Sequence, residues 1–343
     1  MRALTYLGPR QLEWRDAQEP RIAGDGEAVV RHLAVATCDL DALIVGGVSP
    51  FPAPFTLGHE GVAEVLEVGD GVRTVEPGDR VLVPFQISCG TCGACAAGRT
   101  GNCEHVPFAA TYGFGFGPEN TTWGGFLSDA VRVPFADAML VPLPEGLTPE
   151  IAAGASDNIT DAYRAVAPYL AARPGAPVLV CGGASSGSIG LYAVAHAVAL
   201  GSDDVLYVDP DAGRRAIAEG YGAQTLDHVP GQLDRRFPIT VDAAATPEGL
   251  ALAAGSLDRD GVCTSTAIYF DANAIPKLPL LQMYVFASTF VTGRIHARRD
   301  APAVLDLLAS GTLDVAPVTT RTVAFDDAAD ALLEDYTKLV FTR

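Results

Sequence analysis

Through roughly the first 150 residues, apolar positions come in short runs, among them EAVVRHLAVA, GVAEVLEVGDGV, DRVLVPF and DAVRVP, each closed by Gly, Pro or Asp. Short runs bounded by turn formers are the mark of β-strands, and their even spacing predicts a twisted antiparallel sheet or small barrel. From about residue 155 the rhythm changes. APVLVCGG is followed by SIGLYAVAHAVALG, DVLYVD by AGRRAIAEGYG, and ITVDAA by GLALAAGSL and GVCTSTAI. That alternation predicts parallel strands whose helical crossovers cover both faces of a sheet. The tail mixes the two patterns: APAVLDLLASG and DDAADALLEDYTKL read as helical, VTTRTVAF as extended, and VFTR as a closing strand able to rejoin the first sheet.

The chain's 343 residues exceed what one hydrophobic core usually serves, so two domains are expected. A formal net charge of -18 opposes binding to nucleic acid or to an anionic membrane surface. No charged leader with an apolar core opens the chain and no apolar run has the length of a bilayer span, so a cytoplasmic protein is expected. Seven cysteines are present, and four crowd into residues 89–103. In a reducing compartment such crowding favours a metal over disulfides.

Those four, Cys89, Cys92, Cys95 and Cys103, are spaced C-x2-C-x2-C-x7-C among glycines. Four thiolates on a tightly turning loop can surround one tetrahedral zinc and leave no position for substrate, which is the signature of a structural site. An iron–sulfur cluster is the competing ligand set for that spacing. Elsewhere Cys38 precedes His59 by twenty-one residues, with Glu60 beside the histidine. A thiolate and an imidazole suit a catalytic zinc, which needs three protein ligands and an open fourth position. Composition does not name the third.

Taken together, the string GHEGVAEVLEVGDGVRTVEPGDRV, the four-cysteine loop, the GGF turn at 124–126 and the later glycine-rich turn resemble the zinc-dependent medium-chain alcohol dehydrogenase family over nearly the whole chain. The resemblance implies an α/β plus β fold: a GroES-like catalytic domain (1–153) with the structural zinc loop, a Rossmann-type doubly wound NAD-binding domain (154–290), and a C-terminal segment (291–343) returning to the first. It implies two zinc ions per subunit and NAD(H), with the catalytic zinc in the cleft between the domains. Cys38 matches the first ligand of that zinc, His59 the second, and Glu60 the neighbouring carboxylate that helps ligand exchange. The third ligand falls on Asp157, similar to a Cys-His-Asp subgroup of secondary-alcohol enzymes, with Asp161 as the alternative. A carboxylate in place of a thiolate leaves the metal the stronger Lewis acid.

In one place the chain departs from that family. Where a hydroxyl and then a histidine usually carry the alcohol's proton toward solvent, this sequence has Leu40 and Leu43. Leucine neither donates nor accepts a proton. Three explanations stay open: another proton route through Glu60 or through Asp41 and a water, a substrate that needs no relay, such as a conjugated C=C or an iminium, or a slipped alignment. A non-catalytic member that keeps only the scaffold is opposed by the intact ligand set.

VLVCGGASSGSIGLYAVAHAVALG reads as strand, turn and helix, the unit that meets a pyrophosphate with backbone N–H groups. Gly187 and Gly190 fit the last two glycines of the family's turn, while Gly182 or Ser185 takes the first place in a turn about three residues longer than usual. Gly182, Gly187, Ser188, Ile189 and Gly190 are therefore the candidate pyrophosphate contacts, with Ser185 and Ser186 as hydroxyl donors. Asp209, nineteen residues after Gly190, suits the adenosine ribose and selects NAD(H) over NADP(H). Arg214 is placed over the adenine, and Arg215 at the surface. Leu40, Leu43, Phe51, Tyr112, Phe114, Trp123 and Phe270 are candidate pocket walls for a small hydrophobic substrate. A homodimer or homotetramer is the family's expectation, with LLQMYVFAS near the interface or, read plainly, a core strand.

Overall fold

The computed structural model describes residues 1–48, 50–114, 123–183, 185–270 and 277–343. The chain runs first through β1 (Arg2–Gly8), β2 (Gln11–Asp16), β3 (Ala28–Ala36), β4 (Phe55–Thr56), β5 (Glu60–Val68), β6 (Arg80–Val83), β7 (Val131–Val133) and β8 (Val141–Pro142). There follow β9 (Val178–Cys181), β10 (Val205–Val208), β11 (Gln224–Leu226), β12 (Phe237–Asp242), β13 (Leu257–Ser265) and β14 (Thr289–Val291). The chain closes with β15 (Arg321–Ala324) and β16 (Leu339–Thr342). Two compact units result: Met1–Thr160 with Ile295–Gly311 and Thr319–Arg343, and Asp161–Arg294 with Thr312–Val318.

The first unit is a seven-stranded sheet in the order β15-β16-β3-β5-β6-β8, with β7 also on β3, beside a small sheet β2-β1-β4. Its antiparallel β architecture follows from the short apolar runs, and VFTR rejoins it as expected, Val340 facing Ala36 and Phe341 facing Val35. Along β5 the first four residues are buried and the last three are not. The strand therefore delivers its start, Glu60, into the interior and its end to solvent. DDAADALLEDYTKL forms only a 3-10 turn (Phe325–Asp327) and a short helix (Ala328–Ala331). Because β15 and β16 lie parallel, this stretch must also carry the chain back along the strand, so the apolar period does not become one long helix.

The second unit is a parallel sheet in the order β11-β10-β9-β12-β13-β14. Strands β9 and β10 are buried at every position, as helix-covered parallel strands must be. The order reverses between β9 and β12, so the carboxyl end of β9 lies at the switch point where doubly wound sheets bind their ligands. LLQMYVFAS forms a helix, Leu280–Phe286, and not a core strand; residues 271–276, shortly before it, lie outside those described. No helix among the described residues is long and apolar enough to cross a membrane.

One core residue of the first unit gives the fold an acid sensitivity. His32 on β3 is fully buried, stacked on Phe126 with ring centroids 3.9 Å apart, and neither ring nitrogen has a hydrogen-bond partner. Burial, with Arg343's charge adding, pulls its pKa from 6.5 down to about 3. The unfolded chain thus takes up a proton below pH 6.5 that the folded chain refuses until about pH 3, and stability is lost across that window as pH falls. At pH 5 the loss is about 2 kcal/mol relative to pH 8. Because the His32 ring makes no hydrogen bond, His32→Leu should unfold in denaturant like the parent at pH 8 and be the more stable of the two at pH 5. Parallel pH profiles of the two proteins would exclude this account.

Candidate functional site

The first cluster is assembled by the local structure around β5. Cys38 caps the helix Asp39–Val45: its sulfur accepts from the Leu40 amide at 3.5 Å while Asp41 Oδ2 accepts from the Cys38 amide at 2.7 Å. His59 enters β5 from Gly58, whose φ of +90° suits glycine and whose missing side chain leaves room for the Leu127 amide, 2.7 Å from where a Cβ would stand. Asp157 follows the 3-10 turn Ala153–Ser156 and immediately precedes the helix Asn158–Ala172. One ligand atom each from Cys38, His59, Glu60 and Asp157 lies within 4.8 Å of the others, and all four residues are buried.

Ordinary hydrogen bonding does not account for the histidine. Both ring nitrogens of His59 lack a hydrogen-bond partner, although Nε2 is 3.5 Å from Asp157 Oδ2 and Nδ1 is 3.8 Å from Asp41 Oδ1. Two ligands about 2.05 Å from a tetrahedral ion stand about 3.4 Å apart, so the His59–Asp157 spacing is that of neighbours on one metal. The acids are short of positive charge. Burial raises the pKa of Cys38 well above the usual thiol range, and the charges of Asp157, Glu60 and Asp41 add to it. Burial likewise raises Glu60 and Asp41, in part against the pull of Lys338 and His59 respectively. His59 is raised as well: burial opposes its protonation and is outweighed by the carboxylates of Asp41, Asp157 and Glu60. A divalent cation answers all of these at once, and the soft, borderline and hard donors present suit zinc.

Asp161, the alternative ligand, is outside this cluster and pairs with Arg164. Leu40 is buried next to Cys38 and Leu43 half-buried one turn on. Of the aromatic candidates, Phe114 meets the His59 ring edge-on at 4.7 Å and Phe51 lies 4.9 Å from Phe114. Tyr112 is a core residue, fully buried against Phe126, with its hydroxyl donating to the Arg132 carbonyl. Trp123 lines a separate surface groove with Met1, Glu19 and Arg132, and Phe270 is half-buried in the second unit. Part of YGFGFG, from 115 on, lies outside the described residues. Three residues of the site had no sequence signal. Phe85, 5.8 Å from His59, ends an ordinary strand run; Asn158 Oδ1, 3.2 Å from Cys38 Sγ, follows a ligand; and Lys338 Nζ, 2.7 Å from Glu60 Oε2, lies 278 residues away along the chain.

The four-cysteine loop gathers Cys89, Cys92, Cys95 and Cys103 with sulfurs within 4.8 Å of one another. Four thiolates 2.3 Å from one ion make a tetrahedron with edges of about 3.8 Å, whereas an iron–sulfur cage between them would hold them wider. The backbone is already turned toward anionic sulfur. Amides of Thr91 and Cys92 donate to Cys89, those of Cys95 and Glu104 to Cys92, and that of Cys89 to Cys103, each at 3.4 Å.

In the second unit the turn after β9 leads from Gly182 to Gly187, which has φ +75° and caps the helix Ser188–Ala199. Ser188, Ile189 and Gly190 are thus its first three residues, at the helix end whose positive dipole suits an anion. Asp209 follows β10 with no exposure. Its carboxylate accepts from Arg214 Nε at 2.8 Å and Nη2 at 2.9 Å, from the Tyr207 hydroxyl at 2.5 Å and from the Asp211 amide at 2.8 Å. Arg214 therefore lies against the turn, its Nε 2.8 Å from where a Gly187 Cβ would stand, as the ion partner of Asp209. Arg215 Nη1 donates to the carbonyls of Asp209 and Pro210.

Residues 24–145 match the model of the alcohol dehydrogenase GroES-like domain. The chain is 30% identical over 335 residues to a probable zinc-binding alcohol dehydrogenase of Mycobacterium tuberculosis, spanning 96% of this chain and 84% of that one. It is 30% identical over 362 residues to the geraniol dehydrogenase of Castellaniella defragrans, spanning 95% and 91%. Among solved structures, the alcohol dehydrogenase TADH from Thermus sp. ATN1 superposes with a TM-score of 0.85 at 27% identity, covering 100% of this chain and 99% of that one.

Elemental analysis of the purified protein should find two zinc ions per chain. His59→Ala should hold one and keep its fold, because the site it empties is not needed to close a loop. Cys95→Ser should lose the other and melt at a lower temperature. Two ions retained in His59→Ala would remove the cluster around β5 as a metal site.

Proposed function

Because the chain belongs to the zinc-dependent medium-chain alcohol dehydrogenase family, we propose that it transfers hydride between NAD(H) and a hydrophobic alcohol or carbonyl compound at a zinc held by Cys38, His59 and Asp157. The observation that carries this reading is the buried quartet around His59, whose two ring nitrogens have no hydrogen-bond partner. When bound, the zinc supplies Lewis acidity toward the substrate oxygen and the nicotinamide gives or takes the hydride. The remaining work is the chain's own. Asp41, anchored by the Cys38 amide, stands 3.8 Å from His59 Nδ1 and directs Nε2 toward the other ligands. Phe51, Phe85 and Phe114 keep water from the histidine and offer an apolar wall. The geraniol dehydrogenase among the relatives is named for an apolar alcohol, in keeping with that wall.

Asp209 and the helix starting at Ser188 are the coenzyme contacts in this reading. A buried carboxylate disfavours a 2'-phosphate, which supports NAD(H), and Arg214 sets how its oxygens are shared. Seven unpaired cysteines suit a reducing cytosol. We assign the oligomer contact to the helix Leu280–Phe286, which leads into the edge strand β14, because Leu280, Leu281, Tyr284 and Val285 are all more than 60% exposed.

The reading is tested by following NADH absorbance with a panel of hydrophobic aldehydes, ketones, enals and cyclic imines, with products identified by NMR. Alcohols are the expected products. Leu40 and Leu43, apolar where a relay would stand, favour one other outcome, saturated carbonyls or amines, which would make the protein a reductase of C=C or C=N bonds. Asp209→Asn should weaken NADH binding by about tenfold to a hundredfold, the worth of a hydrogen bond to a charged group; unchanged affinity would remove Asp209 from the coenzyme site. Leu281→Glu with Tyr284→Glu should shift the protein from dimer or tetramer to a smaller species in sedimentation, and a wild-type monomer would remove the contact.

A further inference from the structure

A site that works on an alcohol or a carbonyl compound has to hold the oxygen whose charge changes as hydride moves. Around the quartet at His59, hydroxyls that could donate to such an oxygen are already spent. Ser156 and Thr160, on either side of Asp157, donate to the carbonyls of Ala153 and Ala155. Leu40, whose amide meets Cys38 Sγ at 3.5 Å, has no side-chain donor at all.

Tyr336 has one. It stands just before β16, where Val340 faces Ala36 on β3. The pairing runs on past the strand: the Thr37 amide donates to the Leu339 carbonyl at 3.0 Å, and the Leu339 amide donates to Thr37 Oγ1 at 3.0 Å. Counted on in the same antiparallel sense, residues 338, 337 and 336 come alongside 38, 39 and 40. Tyr336 is thereby led to the start of the helix that Cys38 caps, and the charges of Asp41, Asp39 and Cys38 act on its hydroxyl. The hydroxyl is buried and has no hydrogen-bond partner among the described residues. A polar group in that state costs the fold stability and calls for a partner from outside the chain. Burial, with those negative charges adding, holds its pKa well above the usual tyrosine range, so it keeps its proton and can only be a neutral donor.

We propose that the Tyr336 hydroxyl is a substrate contact that donates a hydrogen bond to the oxygen of the alcohol or carbonyl compound, a part that Leu40 cannot play. The proposal rests on the function proposed above and goes beyond it in naming the group of this chain that recognises the substrate's oxygen.

Tyr336→Phe removes the hydroxyl and keeps the ring. Without ligand it should melt no lower than the parent, because no bond within the protein is lost. Benzamide serves as an unreactive carbonyl probe and imidazole as a probe that carries no oxygen. With NADH present, calorimetry should find benzamide bound about tenfold more weakly by Tyr336→Phe and imidazole bound equally by the two proteins. For carbonyl compounds that the wild type reduces, kcat should fall about tenfold to a hundredfold while NADH affinity stays, and Tyr336→Phe with Leu40→Ser should regain part of the loss. The proposal is overturned by a Tyr336→Phe protein that melts below the parent, which would give the hydroxyl to the fold, or by one that binds benzamide as tightly as the parent does. A wild type that reduces none of the compounds would instead overturn the proposed function, and the melting and benzamide comparisons would still decide the role of Tyr336.

Discussion

A surplus of negative charge in a place without water governs the first unit. Cys38, Asp41, Glu60 and Asp157 surround His59 with almost no exposure. Each would be costly to ionise alone in such surroundings, and the raised pKa values of Cys38, Asp41 and Glu60 express that cost. The arrangement becomes favourable only when positive charge is delivered to it, by Lys338 from the protein and by a divalent ion from outside. The surrounding sheet serves this: strands β16, β3 and β5 pair side by side and bring residues from both ends of the chain to one point.

The two metal loops show opposite uses of one chemistry. At the cysteine loop four thiolates and five backbone amides at 3.4 Å are provided within sixteen residues, a self-sufficient cage that holds a lobe together. Around His59 the donors are mixed and come from distant segments, and such a set would leave a bound metal electrophilic. The coenzyme unit solves its charge problem in yet another way. Asp209, buried at the end of β10, is accompanied by Arg214, Tyr207 and the Asp211 amide, so its carboxylate is held and aimed without a metal.

Leu40 and Leu43 leave the helix that Cys38 caps without a proton-carrying side chain at those positions, yet polar groups are near. Asp41 on the same helix is held by the Cys38 amide. Tyr336 has a buried hydroxyl with no hydrogen-bond partner, and its pKa is raised by burial and by the charges of Asp41, Asp39 and Cys38. The first unit thus carries titratable groups beside the ligands in a pattern of its own.

What was legible from residues alone were features that repeat locally. Strand length, the change of period near residue 155 and the C-x2-C-x2-C-x7-C loop are written within short stretches, because hydrogen-bonded periods and chelate loops are short-range. A strand that closes a sheet, as VFTR does, was also legible from its apolar start. Position across long separations was not. Nothing in DYTKLV marks Lys338 as buried, and an isolated lysine is ordinarily at the surface; its pairing with Glu60 exists only because three strands lie in register. The same holds for Arg214, whose place on Asp209 depends on how a helix packs on a strand, and for LLQMYVFAS, whose apolar residues become an exposed helix face. Local pattern determines which elements form and which donors are available; only tertiary packing decides which charges meet, because ion pairing in a dry interior depends on distances of a few ångströms that chain order does not encode.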